Sequence, residues 1–332
     1  MRKHLSLGAV ATFAVVALTA CGGVQNTAGG GSDSGEYPSG AVEMPVGADP
    51  GGSSDLISRQ ISAGLTAELG GSFPVINRSG ANGALAAAEV AKAEPDGSTI
   101  SVQNASLFAI TPLAVSEDEV TSIDDFEVVQ GVSRDDYVLV ASKGSGFTSI
   151  DDFASADKKI TYGTTGVGTG AQLACALTFN VNDTPAEAIP FDGGAPALTA
   201  LLGDQVDTAC LQVGEAIENI EAGKIVPITV FGPERVEFLP DVPTAQESGL
   251  DVEVAQYRFM TVPKGTPQDV QDAIAEAMQA TFETEEYQAF NEQNNLTPME
   301  ISGDEVVTQL EEDTQRYADL VEEYGIDLGD AS

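Results

Sequence analysis

The chain repeats one local pattern: a short apolar strand runs into a glycine-containing turn, and a helix begins directly after the turn. The pattern occurs first around the turn DPGG at 49–52 and again around the glycine loop at 163–170. Apolar strands that alternate with amphipathic helices are typical of an open α/β sheet. We therefore predict an α/β fold that contains two successive units of this kind.

The pattern divides the chain into these two units and a helical C-terminal part. In the first unit we predict strands at 42–46, 73–77 and 98–103 and helices at 53–69 and 84–93. In the second unit we predict strands at 160–163, 186–191, 206–211 and 225–231 and helices at 171–179, 195–202 and 214–222. Beyond about Thr266 the chain is helical, with a helix start at Pro267 and a further helix over 304–324, which we expect to pack back on the first unit.

The charge of the chain restricts its partners and its chemistry. It has 14 Lys and Arg residues against 52 Asp and Glu residues, a formal net charge of −38. Phosphate backbones repel so acidic a chain, and we expect no nucleic acid partner. The single histidine is His4, in a segment that we expect to be removed, and tryptophan is absent. Catalytic triads and metal sites that need histidine are therefore excluded from the mature chain.

Residues 1–20 have the features of a bacterial signal peptide. A basic start precedes an apolar run that is too short for a stable membrane span. The sequence LTAC at 18–21 resembles the lipobox of bacterial lipoproteins, in which the new N-terminal cysteine is lipidated. Plain secretion with an accidental cysteine is the alternative. We expect Cys21 to be the lipidation site and the glycine-rich residues 21–40 to form a flexible tether.

Two further cysteines, Cys175 and Cys210, would meet an oxidising exterior once the chain is exported. A disulfide between them is permitted there, but the sequence alone does not pair them. Two alternatives stay open: a disulfide, or two buried free thiols.

The glycine loop GVGTGA at 166–171 formally matches the dinucleotide fingerprint G-x-G-x-x-A, and it follows a strand and opens a helix. Export argues against a soluble nicotinamide cofactor, so we favour an anion site over a structural turn or a dinucleotide site. Glycines at a helix start expose backbone N–H groups, which attract anions. The turn PGGSSD at 50–55 is the counterpart in the first unit, and two such turns facing each other would form an anion clamp. Arg59 is a candidate either for a carboxylate contact or for a surface or interlobe ion pair.

Adjacent acidic residues are the remaining candidates for catalysis. They occur as Asp135-Asp136, Asp151-Asp152 and Glu285-Glu286. Neighbouring side chains in a turn or on a helix surface point in different directions, so we interpret these pairs as solvated charge.

Four stretches together resemble one family of bacterial proteins. They are PVGADPGGSSDLISR at 45–59, VINRSGANGALAAAEVAKAEPDGSTI at 75–100, IPFDGGAPALTALLGDQVD at 189–207 and LPDVPTAQESGL at 239–250. Over residues 42–328 the chain resembles the extracytoplasmic substrate-binding receptors of tripartite tricarboxylate transporters, often called Bug-type receptors. The resemblance implies an α/β, two-lobed periplasmic-binding-protein fold, similar to type II, with the ligand in the cleft between the lobes.

The resemblance also implies how the chain is divided. Lobe 1 is expected to comprise residues 41–140 plus 260–332, and lobe 2 residues 141–259. The hinge would consist of two strand crossings, near 140–141 and 258–262, about which the lobes close.

Carried over by position, the resemblance implies ligand-binding residues on both lobes. In lobe 1 they are Gly51, Gly52 and Ser53, and Asn104, Ala105 and Ser106 after the third strand. In lobe 2 they are Thr165, Gly166, Gly168, Thr169, Gln172, Asp192 and Gly193. Two positions depart from the family pattern: Ala171-Gln172 stands where a serine–histidine pair is common, and Asp192 where a lysine is common. Since an acidic side chain disfavours a carboxylate, we expect Asp192 to select a ligand that also carries an ammonium or hydroxyl group.

The function that the resemblance implies is that of a membrane-anchored extracytoplasmic receptor, which captures a small carboxylate by lobe closure. It would deliver the ligand to a two-component, ion-driven membrane permease. Such a receptor is not an enzyme, and we expect no cofactor, no metal and a monomeric state. The alternatives are a receptor that presents its closed form to a membrane sensor and, third, a tethered hydrolase.

Overall fold

The protein is described by a computed structural model over residues 37–329. The predicted signal peptide, the lipidation site Cys21 and the first part of the predicted tether lie outside the described residues. Among residues 37–329, no helix combines the length and the apolar character that a membrane crossing requires.

Strands and helices alternate through most of the described chain. The strands are β1 (Met44–Val46), β2 (Val75–Asn77), β3 (Ser101–Asn104), β4 (Phe126–Arg134), β5 (Tyr137–Ser142), β6 (Ile160–Thr164), β7 (Ala186–Pro190), β8 (Thr208–Gln212), β9 (Ile225–Val230), β10 (Tyr257–Pro263) and β11 (Thr297–Pro298). The helices are α1 (Ser53–Leu69), α2 (Ala84–Val90), α3 (Ala105–Ala109), α4 (Asp151–Ala154), α5 (Gly170–Val181), α6 (Gly194–Leu202), α7 (Val213–Glu221), α8 (Gln268–Phe282), α9 (Glu285–Asn294) and α10 (Gly303–Tyr324).

The elements follow the predicted order closely. Helix α1 has the predicted bounds, and β6 to β9 each begin within two residues of the predicted start. The sequence pattern did not identify β4, the longest of the described strands, because Glu127, Gln130 and Gly131 interrupt its apolar residues. Gln130 and Gly131 are nevertheless buried, since β4 pairs with a strand on each side.

Two sheets organise the fold. One has four antiparallel strands in the order β11-β4-β10-β3. The other has five strands in the order β7-β6-β8-β5-β9, in which β7, β6 and β8 are parallel to one another and β5 is antiparallel to both of its neighbours. Strands β1 and β2 form a further parallel pair. We call the part built on the four-stranded sheet lobe 1 and the part built on the five-stranded sheet lobe 2. This is the two-lobed α/β fold that the sequence predicts.

The chain passes between the lobes twice. It leaves lobe 1 between Arg134 and Tyr137, and it returns through residues 231–256. A hydrogen bond from Asp135 N to Gln256 O, at 2.8 Å, ties the two passages together. The sheets therefore change before the positions predicted for the crossings, because the apolar runs near 140–141 and 258–262 form the interiors of β5 and β10. The assignment of residues 41–140 plus 260–332 and 141–259 to the two lobes stays a prediction.

Apolar packing is continuous between the lobes. The ring of Phe108 in α3 lies 5.8 Å from that of Phe259 in β10, and the same buried cluster extends to Leu139 and Leu173 of lobe 2. Helix α10 packs back on lobe 1, as predicted, against β4 and α3. It also contacts α5, so one helix touches both lobes.

Cys175 in α5 and Cys210 in β8 are joined by a disulfide, with their Cα atoms 5.9 Å apart. Both residues are fully buried. Of the two alternatives that the sequence leaves open, the structure has the disulfide, and it fastens α5 to the sheet of lobe 2.

Candidate functional site

The first glycine turn positions the start of α1, but its own amides are occupied. Gly51, with φ +87°, donates its N–H to Asp55 Oδ2 at 2.9 Å, and Gly52 donates its N–H to Asp49 O at 3.0 Å. The first helical hydrogen bond runs from Leu56 N to Gly52 O. The N–H groups of residues 53–55 therefore have no acceptor within the helix. The amides of Gly51 and Gly52, which the sequence predicted to contact an anion, are therefore engaged within the turn, and the amides without helical acceptors belong to the first turn of α1, which Ser53 opens.

Arg59 has a structural partner at this end of α1. Its guanidinium pairs with the buried Asp55, Nη2 to Oδ1 at 2.8 Å, and also donates to Asn77 Oδ1. Burial acts to raise the pKa of Asp55, but the hydrogen bonds from Arg59, Gly51 and Asn77 outweigh it and hold that pKa below its ordinary value. Of the sequence alternatives for Arg59, the structure has the ion pair.

The glycine loop of lobe 2 is held by its own side chains. Thr169 caps α5 by accepting a hydrogen bond from Gln172 N, and its hydroxyl donates to Gly166 O at 2.9 Å. Gln172 accepts from Gly168 N at 2.7 Å and donates Nε2 to Leu328 O at 3.1 Å. The oxygen and the nitrogen of the Gln172 side-chain amide are therefore both hydrogen-bonded, and the side chain ties the glycine loop to Leu328.

The two lobes meet at this loop. The amide group of Asn82 donates to Gly168 O at 3.3 Å, and Thr111 Oγ1 donates to the same oxygen at 3.0 Å. Asn82 also donates to Ser106 Oγ and Thr111 Oγ1, both at 3.0 Å. Its backbone lies in the left-handed region, with a φ of +50°. Asn82 and Thr111 are not among the site residues that the sequence indicated, although Asn82 lies within the glycine-rich turn NRSGANG.

The predicted residues after β3 form a polar network. Asn104 caps α3 by accepting from Leu107 N at 3.0 Å, and it donates Nδ2 to Asn82 O at 3.1 Å. Ser106 Oγ donates to Asn104 Oδ1 at 2.8 Å and accepts from Gln256 Nε2 at 3.1 Å. Ala105, the first residue of α3, is buried. The network links the site to the passage of the chain between the lobes.

Buried charges lie directly behind the start of α1. Ser53 Oγ donates to Asp135 Oδ2 at 2.8 Å, and Arg258 Nε donates to Ser54 Oγ at 2.8 Å. Arg258 Nη2 stands 3.9 Å from Asp135 Oδ2, and the two side chains are only 4% and 2% exposed. Burial raises the pKa of Asp135 to about 6, while Arg258 and Ser53 act to lower it. The expectation that Asp135-Asp136 is solvated charge is wrong, because the passage between the lobes buries both residues.

A third charge, Glu215 at the start of α7, faces the start of α6. A Cβ atom on Gly194 would clash with the carboxylate of Glu215, so the carboxylate lies against the first residue of α6. Burial raises the pKa of Glu215 to about 7, and the charge of Asp135 adds to this effect. Tyr137 contacts the start of α5. Its ring packs against Gly170 so closely that a side chain at this position would clash with it.

The remaining predicted residues lie on loops of lobe 2. Thr165 and Gly166 are half-buried directly after β6, whereas Asp192 is exposed between β7 and α6. Gly193, with φ +102°, is the N-cap of α6. Since β6 and β7 are parallel, their carboxyl ends meet at one sheet edge, the position at which α/β folds bind ligands. The selective role of Asp192 stays a prediction.

The first residues of α1, α5 and α6 lie against Asp135, Tyr137 and Glu215, respectively. Helix N-termini present N–H groups and a partial positive charge, so they favour an anionic ligand. Groups of three or more side chains arranged to hold a metal ion do not occur within residues 37–329. The chemistry available there is the binding of a small acid through amides, hydroxyls and the buried charges.

Comparison with known proteins gives consistent matches. A model of the family described as "Tripartite tricarboxylate transporter family receptor" matches residues 57–326. The UPF0065 protein in the TAR-I ttuE-ttuC' intergenic region of Agrobacterium vitis is 32% identical over 254 residues, which cover 74% of this chain and 72% of that protein.

Solved structures match over nearly the whole described chain. A Rhodopseudomonas palustris protein with adipate has a TM-score of 0.81 at 25% identity, covering 88% of this chain and 99% of its own. MatC from Rhodopseudomonas palustris, with bound malate, has a TM-score of 0.77 at 26% identity, covering 86% of this chain and 100% of its own.

Proposed function

The chain belongs to the tripartite tricarboxylate transporter receptor family, and from this premise we propose that it captures a small carboxylate by closure of its lobes and delivers it to a membrane permease. Members of this family are extracytoplasmic solute receptors. The two relatives solved with adipate and malate hold dicarboxylates, which supports the same ligand class for this chain.

The observation that carries the proposal is the position of three helix N-termini, from both lobes, around one buried group of side chains. Their amides and dipoles act within a few ångströms, whereas the many surface carboxylates are screened beyond roughly 8 to 10 Å at ordinary salt. A strongly acidic protein can therefore hold an anion at this place. The contacts of Asn82 and Thr111 with Gly168 join the lobes here, and a ligand in the cleft would add further contacts to the closed form.

We propose further that Cys21 carries a lipid anchor and that the receptor works as a monomer tethered to the outer face of the cell membrane. Its partner would be a two-component, ion-driven permease. Mass spectrometry of the protein from membranes tests the anchor: an acylated N-terminal Cys21 is expected, and a Cys21→Ser variant should be released into the soluble fraction. An unmodified N-terminus in the membrane-bound protein would contradict the anchor.

Calorimetry with a panel of small mono-, di- and tricarboxylates tests the proposed function. We expect one or a few of these acids to bind, and a ligand at 100 times its dissociation constant to stabilise the fold by about 2.7 kcal/mol. The ligand recovered after denaturation should be chemically unchanged, whereas a hydrolase would release products. Failure of every acid to bind to the folded protein would overturn the proposal.

Uptake into vesicles tests the delivery step. Vesicles that contain the two membrane subunits should accumulate the ligand only when this receptor is added and an ion gradient is present. Binding without receptor-dependent uptake, together with activation of a membrane sensor, would favour the signalling alternative.

A further inference from the structure

We call the side chains of Asp135, Arg258 and Glu215 the ionic cluster. Asp135 and Arg258 contact the first two residues of α1, and Glu215 lies against the first residue of α6. Arg258 is in β10, in register with the predicted site residue Asn104 of β3. Asp135 lies in the passage between the lobes, and Glu215 lies in the first turn of α7 in lobe 2, where its carboxylate also accepts a hydrogen bond from Gln212 N at 3.3 Å. The cluster therefore draws one charge from lobe 1, one from lobe 2 and one from the segment between them.

Two atoms of the cluster are buried without a partner in the protein. Arg258 Nη1 has no hydrogen-bond acceptor, and Asp135 Oδ1 has no donor, among residues 37–329. Their residues are only 4% and 2% exposed. A buried polar group that stays unpaired costs about 1–3 kcal/mol, and more when it is charged. The two side chains approach each other to 3.9 Å through their other atoms, and an unpaired donor on one with an unpaired acceptor on the other is suited to a ligand group that both accepts and donates hydrogen bonds.

The neighbouring hydrogen bonds explain why these two atoms remain unpaired. Arg258 donates through Nε to Ser54, and Asp135 accepts through Oδ2 from Ser53, and these serines are the first two residues of α1. Both serines therefore hold the charged side chains at the helix N-terminus, where amides without helical acceptors also lie. The free atoms are thus fixed next to the place at which the proposed function puts the ligand carboxylate.

The charge of the cluster depends on the protonation of Asp135 and Glu215. When both are ionised, two carboxylates stand against one guanidinium, so a ligand that brings only negative charge meets repulsion or requires one of them to be protonated. A ligand that carries both a carboxylate and a cation would pair its carboxylate with Arg258 and its cation with Asp135. The surrounding helix dipoles favour the carboxylate, and Asp135 and Glu215 favour the cation.

We propose that the ionic cluster recognises the zwitterionic end of an amino acid, with Arg258 Nη1 donating to the ligand carboxylate and Asp135 Oδ1 accepting from the ligand ammonium group. Glu215 supplies the second negative charge. This inference rests on the proposed function and narrows it, because it selects amino acids among the small carboxylates.

The direction of proton exchange on ligand binding, release or uptake, distinguishes an amino acid from a plain diacid. The titratable and charged groups that face the cluster are Asp136 and Tyr137, besides its own three members. Burial raises the pKa of Asp135 to about 6 and that of Glu215 to about 7. An ammonium group beside them favours their charged forms and releases protons near pH 6.5, whereas a plain diacid favours the neutral forms and takes protons up.

The test uses two matched series of acids that differ only at one carbon: succinate, malate and aspartate, and glutarate, 2-hydroxyglutarate and glutamate. Calorimetry at pH 6.5 in two buffers of different ionisation enthalpy gives the affinity and the proton count. We expect the amino acid of at least one series to bind ten-fold or more tightly than its unsubstituted diacid, with release of protons. Equal or weaker binding of the amino acid, or proton uptake on its binding, would overturn the inference while leaving the receptor function intact. No binding by any of the six acids would overturn the inference when an acid of the wider carboxylate panel still binds, and absence of binding by the whole panel would contradict the proposed function as well.

Two aspartate variants localise the effect. Asp135→Asn keeps the size of the side chain and removes its charge, so it is expected to fold and to lose the ten-fold preference for the amino acid. Asp136→Asn is the matched control, because Asp136 is also buried but pairs with Arg134 at 3.0 Å. It should keep the preference. An unchanged preference in Asp135→Asn, or an equal loss in both variants, would contradict the role of Asp135.

Discussion

Thr111 of lobe 1 donates its hydroxyl hydrogen to the carbonyl oxygen of Gly168 in lobe 2, at 3.0 Å. Asn82 donates to the same oxygen from its side-chain amide. One backbone oxygen of the glycine loop is thus the acceptor for two residues of the opposite lobe, and these bonds exist only when the lobes are together. Substitution of either donor is therefore expected to change the equilibrium between the open and the closed receptor.

Removal of these two donors should open the receptor. A hydrogen bond contributes roughly 0.5–1.5 kcal/mol net, so each of Thr111→Val and Asn82→Gly should shift the closed-to-open ratio up to about ten-fold. Glycine is chosen at position 82 because it tolerates the positive φ. Small-angle scattering without ligand should give a larger radius of gyration. Thr66→Val, which removes a hydroxyl bonded within α1, is the control, and an equal expansion there would refute the assignment.

Loss of the cap at the start of α5 should weaken ligand binding. Thr169 is the N-cap of α5, and Thr284 is the N-cap of α9, away from the site. Either change to alanine should lower the free energy of unfolding by about 1 kcal/mol, since both remove an N-cap hydrogen bond. Only Thr169→Ala should also reduce the affinity for the ligand, by several-fold in calorimetry. Equal affinities in the two variants would argue against the glycine loop as part of the site.

The disulfide should contribute strongly to the stability of lobe 2. Cys175 and Cys210 are 35 positions apart, and closure of a loop of that length corresponds to about 3–4 kcal/mol in the chain-entropy model. Denaturant titration of the Cys175→Ala/Cys210→Ala double variant should show a loss of that order in the free energy of unfolding. Because both sulfurs are buried, a reducing agent should act on the native protein only when denaturant is present. Rapid reduction of the native protein would contradict this burial.

The stability of the protein should fall as the pH rises from about 4 to about 7. Burial raises the pKa of Asp313 to about 6 in spite of Arg316, and Asp135 and Glu215 behave in the same way. A carboxyl group whose pKa is raised in the folded state stabilises that state fully when the pH is below its pKa in the unfolded chain, near 4. This contribution is lost as the pH rises through its pKa in the folded state. For Asp313 the loss is up to about 3 kcal/mol.

Denaturation across this pH range tests the sign with a matched pair of variants. Asp313→Asn should flatten the decline. Asp152→Asn should leave it unchanged between pH 5 and 8, since hydrogen bonds from Thr148 hold the pKa of Asp152 below its ordinary value. A stability that rises over this range in the unmodified protein would contradict the burial of these carboxyls.

Salt should speed the association of an anionic ligand. The chain carries a net charge of −38, which repels anions at long range, whereas the helix N-termini act only at short range. In stopped-flow measurements the association rate constant should rise with salt from low ionic strength. A marked slowing would indicate that attraction, rather than repulsion, dominates the approach of the ligand.

Local sequence determined much of this fold, because its signals lie within a few residues. The turn DPGG followed by Ser53 predicted the start of α1, and the glycine loop at 163–170 predicted the start of α5 to within one residue. The four stretches that resemble the receptor family then indicated the two lobes. They did not indicate which atoms the chain already uses, such as the amides of Gly51 and Gly52, which bond to Asp55 and Asp49.

The ionic cluster was decided by the tertiary structure alone. Asp135, Glu215 and Arg258 are far apart in the sequence, and an adjacent pair such as Asp135-Asp136 reads as solvated charge until the passage between the lobes buries it. Burial, and with it the raised pKa and the unpaired atoms, depends on which elements pack over a side chain. The sequence by itself determined where the helices of the site begin, since capping and glycine turns are local. The packing of two lobes determined which charges meet there, since that depends on contacts between distant residues.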